Sequence, residues 1–146
     1  MKMSTKCRYG LRALTDLAYY GRAGHVPLHQ IAKRQEISLK YLEQEFAVLR
    51  KAGIVRSVKG AQGGYMLARD PEQITMAELV EILEGDLSVV DISSDAGLLT
   101  SLRRCVNDYV WNPLNKQIAE TLNQITLADL AAEFDSQQQS DTMYYI

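Results

Sequence analysis

Ser38-Leu39-Lys40-Tyr41-Leu42-Glu43-Gln44-Glu45-Phe46-Ala47-Val48-Leu49-Arg50-Lys51-Ala52-Gly53 and, close behind it, Val55-Arg56-Ser57-Val58-Lys59-Gly60-Ala61-Gln62-Gly63-Gly64-Tyr65 decide the architecture of this chain. Ser38 offers an N-cap oxygen, Leu39, Leu42, Phe46 and Leu49 recur at steps of three, four and three residues, and Gly53 stops the pattern at Ala52. This spacing predicts a helix with one narrow buried stripe, leaving Lys40, Tyr41, Glu43 and Gln44 on its other faces. The period then changes. Val55 to Lys59 and Tyr65 to Ala68 are β-prone runs, and the glycine-rich turn between them predicts a hairpin whose loop exceeds the minimal two residues.

Working outward, Ser4 to about Arg22 carries Leu11, Leu14, Leu17 and Ala18 at helical spacing and closes at Gly21 and Gly24. Leu28, Ile31, Ala32 and Gln35 predict a short second helix, and Glu36-Ile37 turns the chain toward Ser38. Downstream, Thr75 with Glu78 reads as a capping box for a helix carrying Met76, Leu79, Val80 and Leu83, which ends at Gly85. Residues 86–97 have no sustained period and read as a linker. From about Leu98 to Ile125 a long helical pattern places Leu102, Val106, Tyr109, Ile118, Leu122 and Ile125 on one broad stripe. Pro113 interrupts it, predicting either a kink near Tyr109 to Asn112 or a fresh start capped by Asn112. A short last helix opens at Thr126-Leu127-Ala128-Asp129, before a polar stretch from Asp135 that reads as a flexible tail, 135–146.

The 146 residues suit one compact domain with a helical extension. Their net charge of −2 alone would argue against a nucleic-acid partner. The total hides a division. Residues 1–69 hold thirteen basic and four acidic side chains, and residues 70–146 hold three basic and fourteen acidic ones. The first part is therefore positive by nine and the second negative by eleven, which points to separate tasks. No apolar run approaches the ~18 residues that span a bilayer, and no signal-peptide core is present, so the expected location is the cytoplasm, with no membrane partner. No nucleophile and base pair, phosphate loop or metal-ligand spacing suggests an enzyme. His25 and His29 lack a ligand-spaced acid or thiol beside them. Cys7 and Cys105 form no CxxC pair, so reduced thiols are expected.

Helix, helix, turn, helix and glycine-tipped hairpin make a winged helix-turn-helix, a mostly α fold with a small β wing, over residues 1–85. An α-helix fits the major groove of DNA, and a basic hairpin suits the backbone beside it. The expected DNA-binding set is Ser38, Lys40, Tyr41, Glu43, Gln44, Arg50, Arg56, Lys59, Gly60, Gly63 and Gly64. Gln44 can bond adenine and Glu43 can accept from cytosine, while Lys40 and Tyr41 suit phosphate. Arg50 and Lys51 also suit the dipole at the end of their helix. The glycines supply positive φ and close backbone approach.

Several of these segments resemble the Rrf-two (Rrf2) family of bacterial transcription regulators: Ser4-Thr5-Lys6 with Arg8-Tyr9-Gly10, Ile37-Ser38 with Tyr41-Leu42-Glu43-Gln44, Leu49-Arg50-Lys51-Ala52-Gly53, Val58 to Tyr65, Leu83-Glu84-Gly85, and Ile125 to Leu130. The resemblance covers nearly the whole chain. It implies a homodimer whose long C-terminal helices, here 98–134, cross and place two winged heads on a pseudo-palindromic double-stranded operator. It also exposes departures. Cys7 replaces a glycine common in the family, Glu45 stands where the family often has an apolar residue, and Lys59 stands where arginine is frequent.

One branch of the family binds an iron–sulfur cluster through three cysteines and a nearby histidine after the wing. In the matching segment, Asp91 to Asp108, this chain has Cys105 alone, with Asp108 at the histidine position, and Arg8 lies where some relatives recruit a carboxylate. No cofactor is therefore expected, although a redox or iron–sulfur-responsive regulator using Cys105 as a thiol sensor is the alternative reading. The other branch represses cysteine metabolism. Met143-Tyr144-Tyr145-Ile146 is similar to its C-terminus, and the resemblance implies docking to cysteine synthase (O-acetylserine thiol-lyase) through Tyr144, Tyr145 and Ile146, by carboxylate capture with a pocket for the isoleucine. The competing reading is that these residues dock onto the protein's own core or dimer partner.

Overall fold

The computed structural model describes residues 2–90 and 101–144. Ser4 caps the first helix, α1 (Thr5–Tyr20), by accepting the Cys7 N–H, and a single 3₁₀ turn at Gly21–Ala23 leads out of it. Pro27 precedes α2 (Leu28–Gln35), whose C-cap Glu36 sits in the left-handed region at φ 55°. That conformation reverses the chain within two residues. Ser38 then accepts the Tyr41 N–H and starts α3 (Leu39–Lys51), which Gly53 ends at φ 78°.

The stripe predicted on α3 is buried except at its first member. Leu42, Phe46 and Leu49 are fully buried, whereas Leu39 is 40% exposed. It lies in the first helical position, at the open start of the helix. Glu45 takes the stripe's remaining place and is buried instead. These side chains pack with Leu14 and Leu17 of α1, Ile31 of α2 and Ile54 into one core.

The wing is the antiparallel pair β1 (Val55–Val58) and β2 (Gly64–Leu67), with Val55 opposite Leu67 and Val58 opposite Gly64. A third backbone segment joins it, because Val26 and Tyr65 exchange both backbone hydrogen bonds at 2.8 Å. Two glycines are required here by space. A Cβ on Gly64 would stand 2.4 Å from the Val26 carbonyl oxygen, and one on Gly63 would stand 2.3 Å from that of Val58.

Thr75 caps α4 (Met76–Leu83) by accepting the Glu78 N–H, but the Glu78 carboxylate turns to Arg69 instead of closing the box. Residues 86–90 are irregular, and the rest of the expected linker, 91–97, lies outside the described residues, as do residues 98–100. Helix α5 (Ser101–Val106) runs through one π turn at Asn107–Trp111 into α6 (Asn112–Gln124). The Asn112 N–H reaches back five residues to the Asn107 carbonyl. Pro113 has no N–H to donate and would clash with the carbonyl four residues back, and the wide turn relieves both problems. Asn112 itself is helical, so the disturbance falls where the proline predicts it without a fresh start.

The expected short last helix and flexible tail are instead one helix, α7 (Leu127–Tyr144). Its capping box is complete: Thr126 accepts the Asp129 N–H, and Asp129 accepts that of Thr126. The polar stretch read as a spacer is a solvated helical face, supported by Gln137 donating to Glu133 and Gln139 to Asp135 one turn apart. Tyr19 donates to Asp135 at 3.0 Å and packs edge-on against Phe134, which ties α7 to α1. Tyr145 and Ile146 lie outside the described residues.

Gly64→Ala should break the Val26–Tyr65 pairing, because its new methyl group meets backbone and not a movable side chain. The loss of two hydrogen bonds, ~1 kcal/mol each, with added strain predicts a fall of ~6–10 °C in the thermal midpoint, read by circular dichroism.

Candidate nucleic-acid interface

Helix α3 presents two chemically different sides. Ser38, Lys40, Glu43 and Gln44 are exposed and Tyr41 is half-buried, while Leu42, Phe46 and Leu49 are sealed in the core. The buried side fixes the helix, so the polar side is held out without paying for its own ordering. Arg50 and Lys51 are exposed at its last turn, and Arg56 and Lys59 are exposed on the wing. Gly60, at φ 118°, turns the wing tip, and its carbonyl accepts the Gly63 N–H at 3.0 Å. His25 has a structural role there: its Nε2 bonds the Gln62 carbonyl at 2.5 Å, pinning the loop to the segment before α2.

The structure adds residues that were only counted as charge in the sequence. Tyr9 packs edge-on against Tyr41 at 5.8 Å, and the guanidinium of Arg12 lies 5.1 Å from the Tyr9 ring centre, with that of Arg8 at 6.0 Å. Two cations of α1 therefore border the polar end of α3. Their four-residue spacing on one helix face was the available signal.

The joint that sets α3 is also new. Asp16, its side chain wholly buried on α1, accepts from Arg34 Nε at 2.9 Å, Arg34 Nη2 at 2.7 Å and Gln35 Nε2 at 2.9 Å. Arg34 also lies 3.9 Å from the Tyr20 ring centre, and Arg12 donates to the Gln35 carbonyl. The bond to Asp16 raises the Arg34 guanidinium above its ordinary value.

Glu45 is 3% exposed, and neither of its carboxyl oxygens has a hydrogen-bond partner. Burial pushes it up to about 7, with the Tyr41 hydroxyl and the Lys6 ammonium pulling the other way. Cys7, buried beside it, is raised by burial and then by the Glu84 and Glu45 carboxylates, which makes it a poor nucleophile.

In the C-terminal half, Leu102 is 75% exposed and Tyr109 84%, with Val106, Val110 and Leu114 also exposed, so the long stripe is only partly covered within one chain. Ile118 and Leu122 are half-buried on the side toward α4. Cys105 is exposed on α5. Among the described residues no three His, Cys, Asp or Glu side chains come together as a metal site, and no helix is long and apolar enough to cross a membrane.

Comparison with known proteins bears on this geometry. The family model Rrf2, described as an iron-dependent transcriptional regulator, matches residues 3–133. The HTH-type transcriptional regulator CymR of Bacillus subtilis is 37% identical over 146 residues, covering all of both chains. The structure of CymR (YrzC), the global cysteine regulator of B. subtilis, superposes with a TM-score of 0.79 at 35% identity, over 91% of this chain and 98% of that one. The structure of IscR from T. potens superposes with a TM-score of 0.73 at 43% identity, over 94% and 91%. These similarities cover the head and the long helices together.

Asp16→Ala should loosen the seat of α2 and α3. The cost expected is about 2 kcal/mol, below the ~3–5 kcal/mol of a fully buried pair because Arg34 can rehydrate. Urea unfolding should show a lower midpoint with an unchanged slope.

Proposed function

The chain belongs to the Rrf2 family of transcriptional regulators, which are not enzymes, and from that premise we propose that it is a homodimeric DNA-binding repressor of sulfur or cysteine metabolism genes. The observation that carries the DNA reading is the two-sided α3. Its core side is closed, and its polar N-terminal side stands beside a basic wing and the α1 cations. Gln44 and Glu43 read base edges, and Ser38, Lys40, Tyr41 and Arg50 hold phosphate. Arg56 and Lys59 grip the backbone from the wing, where Gly60, Gly63 and Gly64 let the chain approach closely. Lysine at 59 lacks the planar fork of arginine, so its contact is confined to phosphate.

A second copy covers the exposed apolar row of α5 and the π turn, and the two heads then span half-sites about one helical turn apart. The cysteine reading rests on the full-length similarity to CymR, whose solved structure is titled the global cysteine regulator. The proposed partner is cysteine synthase, engaged by Tyr144, Tyr145 and Ile146, with α7 as the arm that carries them.

The family model's iron dependence implies a metal or cluster, and the donor set here does not fit one. Of the two cysteines, Cys7 is closed in the head's core and Cys105 is exposed on α5, leaving one accessible thiol per chain where clusters take about four ligands. We propose regulation without a cofactor. The exposure of Cys105 favours one second reading, a thiol whose oxidation alters the dimer.

Electrostatic binding predicts that log affinity for a duplex enriched from a random-sequence pool falls with log salt by about 0.9 per phosphate neutralised. Lys59→Ala should reduce that slope by about one contact, and a flat salt response defeats the DNA reading. Removing Tyr145 and Ile146 should abolish capture of purified cysteine synthase in a surface-immobilised assay while sedimentation still reports a dimer. Undiminished capture rules out the tail.

A further inference from the structure

The DNA-contact scheme leaves the buried Glu45 unused, although it sits on the helix that scheme depends on. Glu45 lies between the exposed Gln44 and the core residue Phe46. Its Oε2 is 3.3 Å from the point a Cβ would occupy on Gly10, and Leu83 Cδ1 is 2.7 Å from that same point. The carboxyl is therefore wedged where α1, α3 and α4 meet, against the bare backbone of Gly10.

The groups around this wedge are few. From α1 come Lys6 and Cys7, from α3 itself Tyr41, and from the end of α4 Glu84. Glu84 faces Cys7 and accepts the Ser4 N–H at 3.1 Å and the Ser4 hydroxyl at 2.5 Å, so it holds the start of α1. Lys6 is the one cation among them, and it is exposed. A carboxylate in this wedge has only the nearby Tyr41 hydroxyl and the exposed Lys6 to favour it and makes no well-formed hydrogen bond, whereas a neutral carboxyl fits at much lower cost. Tyr41 is one helical turn before Glu45, and its ring leans on Tyr9. Tyr41, whose hydroxyl faces the carboxyl, thereby links Glu45 to the polar end of α3.

We propose that Glu45 is a positioning residue for the recognition face: its protonated form seats α3 against α1 and α4, and release of the proton to solvent unseats Tyr41 with Lys40 and Gln44, so that operator affinity falls as pH rises. This rests on the reading that the polar end of α3 contacts DNA. The sign follows from the raised carboxyl. Between the ordinary 4.5 and about 7 the folded protein holds a proton that the unfolded chain has lost, so stability falls with rising pH across that window and levels above it.

Two variants and two measurements test the proposal, using the full-length dimer and the duplex enriched from a random pool. Wild-type dissociation constants should rise about tenfold from pH 6 to pH 8, as expected when only the protonated form binds. Glu45→Gln and Glu45→Leu should lose that rise, and at pH 8 Glu45→Leu should bind about tenfold more tightly than wild type. His25 and His29 are common to all three proteins and cancel in the comparison. Without DNA, the urea midpoint of wild type should fall from pH 5 to pH 8 relative to that of Glu45→Leu. Parallel affinity profiles overturn the proposal while leaving DNA binding intact, and parallel stability profiles overturn it without reference to DNA. A pool that enriches no duplex overturns the DNA reading and this coupling together.

Discussion

A buried carboxylate on α1, Asp16, holds the end of α2 through three short N–H bonds, and the direction of the recognition helix depends on that joint. Eight residues are too few for a helix to persist in water by itself, so α2 relies on what it packs against. Asp16 fixes Arg34 and Gln35, the Tyr20 ring covers Arg34, and the next residue, Glu36, takes the left-handed conformation that reverses the chain. Ser38 then starts α3 at a defined place and angle. A charge with no access to water is costly unless every bond is made, and this one has its partners on the element that must not move.

Glu45 is the counterexample within the same core. It is equally buried and makes no well-formed hydrogen bond, so burial shifts it toward the neutral state. The two acids divide the work. Asp16, bonded to Arg34 and Gln35, orients α3, and Glu45 makes the seating of α3 sensitive to protons. Helix α1 underlies both, and it also separates the two halves of the protein. Tyr9 meets the recognition helix through Tyr41, while Tyr19, ten residues and about 15 Å further along, meets Phe134 and Asp135 of α7. Backbone bonds from Met76 to Ile125 and from Leu127 to Ile74 hold the acidic half onto the basic head.

Much of this was legible in the residues. The caps at Ser38, Thr75 and Thr126 mark helix starts because a side-chain oxygen must satisfy a free N–H, and each does so in the fold, as Ser4 also does for α1. Gly63 and Gly64 were legible as points of close approach, although the partner of Gly64, the Val26 carbonyl, was not. The polar run after Asp135 misled because composition alone cannot distinguish a solvated helical face from a spacer. Contact with Tyr19, more than a hundred residues away in sequence, is what anchors that face.

The amino-acid sequence by itself determined the winged helix-turn-helix, the division of charge and the polar side of α3, because caps, periodicity and turn residues act over a few neighbours. Tertiary structure alone decided which acids lose water. Asp16 and Glu45 carry no local mark of burial, since one gains its partners from α2 and the other its wedge from Gly10 and Leu83, and both depend on helices brought together from different parts of the chain.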